Sequence, residues 1–190
     1  MFTERYFDIR QMLGCLRSNS EVMAVRDILL LGNPRLYELC LPVAPEELAG
    51  LTRTVEDLHD TLMDFRTRCG TGRAIAAPQI GVAKRLVYMN IDEPVVFVNP
   101  VIDVQSAETF ELWDDCMSFP DLLVKVRRHY SCRVIYRDLG WNERSLMLSD
   151  SLAELLQHEC DHLNGVLAVA RAVDSRAFAL RNQSAFFGRG

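Results

Sequence analysis

Two histidines, His158 and His162, lie four positions apart in a stretch that reads H-E-x-x-H. In an α-helix, residues four apart share one face, so both imidazoles can bind one divalent metal ion. Glu159 follows the first histidine and is close enough to act as a base towards water at that ion. The alternative interpretation is a solvated helix face that carries polar residues. The motif therefore favours a metal-dependent hydrolase.

The two middle residues of this motif, Cys160 and Asp161, have different expected roles. Cys160 is two residues from each histidine, so on a helix it points away from their face, and we expect it to be a small core residue. Asp161 fits two interpretations: it bonds a ligand imidazole or a backbone group beside the metal, or it is an ordinary polar helix residue.

A catalytic site of this kind normally has three protein ligands, and few candidates for the third follow His162. One class of H-E-x-x-H peptidase needs a later histidine at the position that Ala168 occupies here. Another class uses a later glutamate, but the only acidic residue after His162 is Asp174. We therefore expect the third ligand upstream, where His59, His129, several acidic residues and five cysteines are available.

Cys116 is the upstream candidate with the most suitable setting. It ends a strand-like stretch, so it could lie at a strand end that faces the motif helix. A thiolate is also a strong ligand for a borderline metal. By contrast, His129 follows Arg127 and Arg128, a basic run typical of a solvated strand face. His59 fits a surface or boundary position on a predicted helix.

Length and composition limit the functional class. The chain has 190 residues, 49% of them hydrophobic, which suits one compact domain with a sizeable core. Its formal net charge of -5 gives no reason to expect nucleic acid or an anionic membrane as a partner. No apolar run reaches the length of a membrane span, and the first eight residues lack the apolar core of a signal peptide. With six scattered cysteines, expected to be reduced thiols or metal ligands, we predict a cytoplasmic enzyme with a peptide or small-molecule substrate.

The pattern along the chain predicts an N-terminal extension at residues 1–22 and a single catalytic domain at residues 23–190, with Met23 as an alternative start. Apolar residues at spacings of three and four predict a helix from near Pro45 to the glycines at 70 and 72. A second helix, capped by Asp150 and stopped by Asn164-Gly165, would carry the histidine motif. Short apolar runs predict strands at 86–89, 95–98, 101–104, 122–126, 132–136 and 146–148. The fold class is therefore α+β, with mixed, mostly antiparallel strands packed around a central metal-binding helix.

Three motifs in this order resemble those of the peptide deformylases. Residues 72–79 read G-R-A-I-A-A-P-Q against G-x-G-x-A-A-P-Q in the family. Residues 114–118 read D-D-C-M-S against E-G-C-L-S, and residues 157–163 read Q-H-E-C-D-H-L against Q-H-E-x-D-H-L. The likeness extends over about residues 23–180 and includes an opening N-P-R-L at 33–36.

The resemblance implies a function and a set of site residues. The family removes the N-formyl group from the initiator methionine of newly made polypeptides and releases formate. The resemblance implies one divalent metal ion, typically Fe2+ with Zn2+ or Ni2+ as substitutes, bound by Cys116, His158 and His162. Glu159 would be the general base and acid, while Gln79 and the backbone N–H of Met117 would hold the formyl oxygen. The substrate would contact Gly72, Arg73, Ala74 and Asp115. Partners would be N-formylmethionyl nascent peptides, which the enzyme could meet at the ribosome, with no nucleic-acid or membrane binding.

The chain departs from the family pattern at the cleft rather than at the metal ligands. Ala74 and Asp115 replace glycines, which leave room for the substrate, and Asp114 replaces a glutamate. A glycine usual shortly before the motif helix is also missing. We expect these changes to affect substrate range and rate more than metal binding. Two alternatives therefore stay open: a hydrolase of a different N-acyl peptide, and an inactive relative that keeps the metal as a structural or binding site.

Overall fold

The first helix, α1, spans Leu48–Cys69 in a computed structural model that describes residues 25–187. A 3-10 turn at Pro45–Glu47 precedes it, and Gly70 ends it with φ +72°, a left-handed conformation that glycine adopts without a Cβ penalty. Its predicted apolar stripe is buried in the core at Leu51, Val55, Leu58, Leu62 and Phe65. The predicted beginning and end of this helix are therefore confirmed. The predicted extension at residues 1–22 and the alternative start at Met23 lie outside the described residues.

Within residues 25–187, eight strands form two sheets in which neighbouring strands all pair antiparallel. The five-stranded sheet has the order β1-β2-β3-β6-β7, made of β1 (Ala74–Ala76), β2 (Leu86–Asn90), β3 (Pro94–Gln105), β6 (Ser131–Arg137) and β7 (Glu143–Ser149). The three-stranded sheet has the order β4-β5-β8, made of β4 (Thr109–Asp115), β5 (Leu122–His129) and β8 (Phe178–Leu180). The α+β class and the antiparallel pairing are as predicted.

One predicted boundary is wrong, because residues 95–98 and 101–104 belong to the single strand β3. The prediction treated Asn99 and Pro100 as a turn, but they form an irregularity where the register against β6 shifts between Val98 and Val101. Asn99 has φ +52°, and its side chain bonds the backbone N–H and C=O of Val43, each at 2.8 Å. These side-chain bonds hold the local kink, so the chain continues in the same strand direction instead of reversing.

The second helix, α2, spans Asp150–Leu163 and is the central element of the fold. It packs against β1, β5, β6 and β7, and every residue from Ala153 to Leu163 is buried. The predicted cap is displaced by one residue, since Ser149 is the N-cap and Asp150 is the first helical residue with φ +54°. The polar motif residues therefore face protein rather than solvent, which excludes the solvated-face alternative. No helix in residues 25–187 has the length and apolar character needed to cross a membrane.

Gly165 and Gly70 offer a matched test of how the end of α2 packs. They have nearly the same φ, +70° and +72°, but a Cβ on Gly165 would lie 2.4 Å from the Tyr37 carbonyl oxygen, whereas one on Gly70 would meet nothing within 4 Å. Gly70→Ala should cost only left-handed strain, about 1–2 kcal/mol. Gly165→Ala should lower the free energy of unfolding by about 1–3 kcal/mol more, because the backbone must move. Urea denaturation of both variants measures the difference, and equal losses would contradict this packing.

Candidate metal centre

Cys116, His158 and His162 come together in the interior, with their ligand atoms all within 4.8 Å of one another. The two imidazole Nε2 atoms are 3.1 Å apart, and Cys116 Sγ lies 3.3 Å from Nε2 of His162. The helix α2 places its two histidines one turn apart, while Cys116 directly follows the last residue of β4. All three side chains are buried. The three residues expected to bind the metal are thus brought together by two elements that are distant in sequence.

Asp114, the last but one residue of β4, orients the first histidine. Its Oδ1 lies 2.9 Å from Nδ1 of His158, so the Nδ1–H can donate to the carboxylate and leave the Nε2 lone pair directed at the cluster. Burial by itself raises the pKa of this carboxyl, but His158 and Arg128 outweigh it and hold the pKa at about 2. Asp114 therefore stays ionised, as an acceptor for the histidine must.

Arg128 is buried between two carboxylates and links the strands to the helix. Its guanidinium bonds Asp114 at 3.0 Å and Asp161 at 2.5 Å, and Arg171 also bonds Asp161 at 2.8 Å. The prediction of a solvated basic strand face is wrong for Arg128, because side chains alternate along β5 and, of the two arginines, only Arg127 points outward. Asp161 bonds these two arginines rather than a ligand imidazole or a backbone group beside the metal. It is also buried in an ion-pair network rather than an ordinary polar residue of the helix, so it differs from both interpretations of the sequence.

The chemistry of the cluster fits a single divalent metal ion. One sulfur and two imidazole nitrogens form a donor set that borderline metals prefer, and three protein ligands leave a position for water. Beside them, Glu159 Oε2 and His162 Nδ1 are buried without a hydrogen-bond partner among the described residues. Burial also raises the pKa of Glu159 to about 7. A buried carboxylate oxygen with no partner is costly, and it is available to accept a proton from a reacting group.

Gln79 lies beside the cluster in a 3-10 turn at Ala77–Ile80. Its Oε1 accepts a hydrogen bond from the Ala76 N–H at 2.9 Å, which orients the amide. Its Nε2 then lies 3.6 Å from Cys116 Sγ and 3.3 Å from Ser118 Oγ. The amide N–H group is therefore presented to the metal cluster, where it can donate to an oxygen. Met117, between Cys116 and Ser118, is buried and lines a cavity that opens onto the cluster.

A cavity of about 320 Å³ opens onto the cluster. The four residues expected to contact substrate, Gly72, Arg73, Ala74 and Asp115, all line it. Asp115 does not present an unpaired charge, because its carboxylate accepts a hydrogen bond from Arg181 at 2.8 Å. The substitution of aspartate for glycine is thus compensated by an arginine from the C-terminal part of the described chain.

The two other histidine candidates, His59 and His129, do not join the cluster that the described residues form. His59 Nδ1 lies 2.6 Å from the Tyr88 hydroxyl, and His129 Nδ1 lies 2.6 Å from the Ser106 carbonyl oxygen. Cys160 is buried away from the metal face, as expected.

Sequence reasoning missed three residues at this site. The burial of Arg128 was predictable from the sequence, because alternation along β5 places it on the same face as the inward-facing Val124 and Val126. Glu154 lines the cavity, and its spacing of four before His158 places it on the same helix face. Arg181 has no local signal, since its role depends on a contact with Asp115, which is 66 residues away.

Comparisons with known proteins agree with this geometry. The family model for polypeptide deformylase matches residues 25–177. A peptide deformylase of Rhizobium meliloti is 34% identical over 154 residues, covering 77% of this chain and 84% of the relative. Peptide deformylase 1 of Prochlorococcus marinus is 35% identical over 179 residues, covering 85% and 88%.

Solved structures show the same fold. The crystal structure of the peptide deformylase from Thermotoga maritima superposes with a TM-score of 0.73 at 30% identity and covers 79% of this chain and 99% of that one. A peptide deformylase from Synechococcus elongatus, solved in complex with actinonin, gives a TM-score of 0.75 at 27% identity and covers 84% and 85%. Since the matched region includes the cysteine, both histidines and the glutamate between them, this chain belongs to the polypeptide deformylase family, whose members remove the N-formyl group from newly made polypeptides.

Proposed function

We propose that this chain hydrolyses the N-formyl amide of newly made polypeptides at one divalent metal ion held by Cys116, His158 and His162, and releases formate. The observation that carries the proposal is the convergence of these ligands beside the buried, unpartnered Glu159 carboxylate oxygen. We propose Fe2+ as the native ion, with Zn2+ or Ni2+ as substitutes, on the basis of the family resemblance. When bound, such an ion would supply Lewis acidity and lower the pKa of water towards about 7.

The protein groups around the ion divide the remaining work. Glu159 accepts the proton of the attacking water and passes it to the departing amine. The formyl oxygen gains negative charge as the water oxygen adds to the formyl carbon, and Gln79 Nε2 and the Met117 N–H donate to it. One such donor is worth about 3 kcal/mol of the barrier. Asp114 keeps His158 in the tautomer that binds metal, so it acts by positioning.

The proposed substrate class links the reaction to protein synthesis. Formylated N-termini arise on nascent chains, so we propose that the enzyme acts in the cytoplasm and meets its substrates at or near the ribosome.

The decisive experiment compares two peptides that differ only in their acyl group, formyl-Met-Ala-Ser and acetyl-Met-Ala-Ser. Anaerobically purified, iron-loaded protein should release formate from the first and leave the second intact. Faster hydrolysis of the acetyl peptide would instead support an enzyme for a different N-acyl group. Bound metal without hydrolysis of either peptide would support an inactive relative.

Glu159→Gln should keep the metal and lower the turnover number by about 10²–10⁴-fold, the usual contribution of a general acid-base. The amide preserves the side-chain shape but cannot take the proton from water. Formate release and elemental analysis on the same sample measure both effects. Near-normal turnover with full metal content would remove Glu159 from its assigned role.

Cys116→Ala should lose the metal, because only the two histidines remain as ligands. Cys160→Ala is the matched control, since this thiol lies in the motif helix but is buried away from the cluster. It should retain close to one metal ion per chain. Elemental analysis after dialysis distinguishes the two variants, and equal metal content in both would move the third ligand elsewhere.

Asp114→Asn should weaken metal binding by about 10–100-fold, the usual effect of removing a carboxylate that orients a ligand histidine. The change keeps the side-chain volume but removes the charge that faces His158 and Arg128. Asp103→Asn, at an exposed ion pair with Arg133, serves as the control. Competition with a metal chelator gives the affinities, and equal affinity in the two variants would disprove the positioning role.

A further inference from the structure

An ion pair that the proposed chemistry does not use stands in the wall of the cavity. Arg73, directly before β1, bonds Glu154 of α2 at 2.8 Å, and both residues line the cavity beside Glu159. The Glu154 side chain is only 6% exposed, whereas that of Arg73 is 41% exposed. A second guanidinium nitrogen of Arg73 donates to the Ser151 carbonyl oxygen at 3.1 Å. The pair is therefore held in one orientation, with the carboxylate on the buried side.

This arrangement is expensive if its only role is structural. Burying a carboxylate costs free energy that one partly exposed arginine recovers incompletely, and apolar residues of similar volume would pack there at least as well. The other buried acids around the cluster have assigned contacts: Asp114 holds His158, and Asp161 holds Arg128 and Arg171. The described hydrogen bonds and ion pairs of Glu154 join it to Arg73 rather than to a metal ligand, so its position in the cavity wall needs another explanation.

The covalent structure of a formylated peptide indicates which part of the substrate enters this cavity. In a formylated peptide only the amide nitrogen and one Cα separate the formyl carbon from the first side chain. We therefore expect a substrate whose formyl carbon lies at the metal cluster to place that side chain in the cavity that opens onto the cluster. Part of the wall is apolar, formed by Phe65, Met117 and Leu155, but the charged pair shares the same space. A thioether would cover the pair without bonding to it, whereas a side-chain amide could donate to Glu154 and accept from Arg73.

We propose that Arg73 and Glu154 form a polar specificity site for the first side chain of the substrate. The enzyme then deformylates peptides that begin with a hydrogen-bonding side chain, such as glutamine, at least as efficiently as those that begin with methionine. This inference rests on the proposed deformylase activity and adds a substrate class to it.

Formyl-Met-Ala-Ser and formyl-Gln-Ala-Ser are nearly equal in length and differ in the polarity of the first side chain. For the iron-loaded wild type, kcat/KM for formate release should be at least as high with glutamine as with methionine. The double substitution Arg73→Met with Glu154→Leu keeps the volume and removes both charges. This variant should shift the ratio of the two kcat/KM values about tenfold or more in favour of the methionine peptide, because the polar partners of glutamine are gone.

Two further measurements isolate the cause. The double substitution Arg133→Met with Asp103→Leu removes an ion pair of the same type between β3 and β6, outside the cavity, and should leave the ratio unchanged. In the Glu159→Gln background, calorimetric binding of the two unreacted peptides should show the same preference without any turnover.

The outcomes separate this inference from the proposed function. A wild type whose kcat/KM is higher with the methionine peptide than with the glutamine peptide would overturn the polar site, even if the cavity variant failed to fold. An unchanged ratio in a folded, metal-loaded cavity variant would also overturn it. If iron-loaded wild type releases formate from neither peptide, the proposed activity fails instead, and the binding preference then decides the inference by itself.

Discussion

The buried guanidinium of Arg128 is the interaction on which the rest of this structure depends. It joins Asp114 at the end of β4 to Asp161 in α2, and Asp114 in turn holds His158. Removing one partner of such a buried network leaves an uncompensated charge, which typically costs about 3–5 kcal/mol. The network therefore forms only when β4, β5 and α2 meet in one arrangement, and that arrangement is the one that brings together the three proposed metal ligands.

Sheet register transmits this constraint to the cluster. In the β4–β5 ladder, Asp114 pairs with Val124, and Phe110 pairs with Arg128. Because side chains alternate between faces, a slip of one residue would turn Asp114 or Arg128 away from α2. Cys116 follows the same strand, so its distance from the histidines depends on the same pairing. One ladder thus determines both the orientation of His158 and the position of the sulfur ligand.

The walls of the cavity depart from the family pattern more than the candidate metal centre does. The ligands and Glu159 match the family motif, whereas the walls contain charged pairs. Asp115 stands where the family has glycine, but Arg181 pairs with it, so the added charge is compensated at the rim. Ala74 is buried in β1 and paired with Met89 of β2. The polar wall formed by Arg73 and Glu154 is the part of the cavity that we propose to influence substrate choice.

The sequence by itself determined α1, α2 and the metal-binding histidines, because helical spacing, Gly70 and the H-E-x-x-H pattern act within a few residues. The motif also indicated Glu159, and its lack of a downstream ligand led to Cys116 as the preferred upstream candidate, while the motif resemblance added Gln79 and the Met117 N–H. Only the tertiary structure decided that the strand kinks at Asn99 instead of turning, and that Arg128 points inward. It alone joined Arg73 to Glu154 and Arg181 to Asp115, which are 81 and 66 residues apart. Such contacts depend on the register between strands and on the packing of the sheets against α2, and no local pattern specifies either.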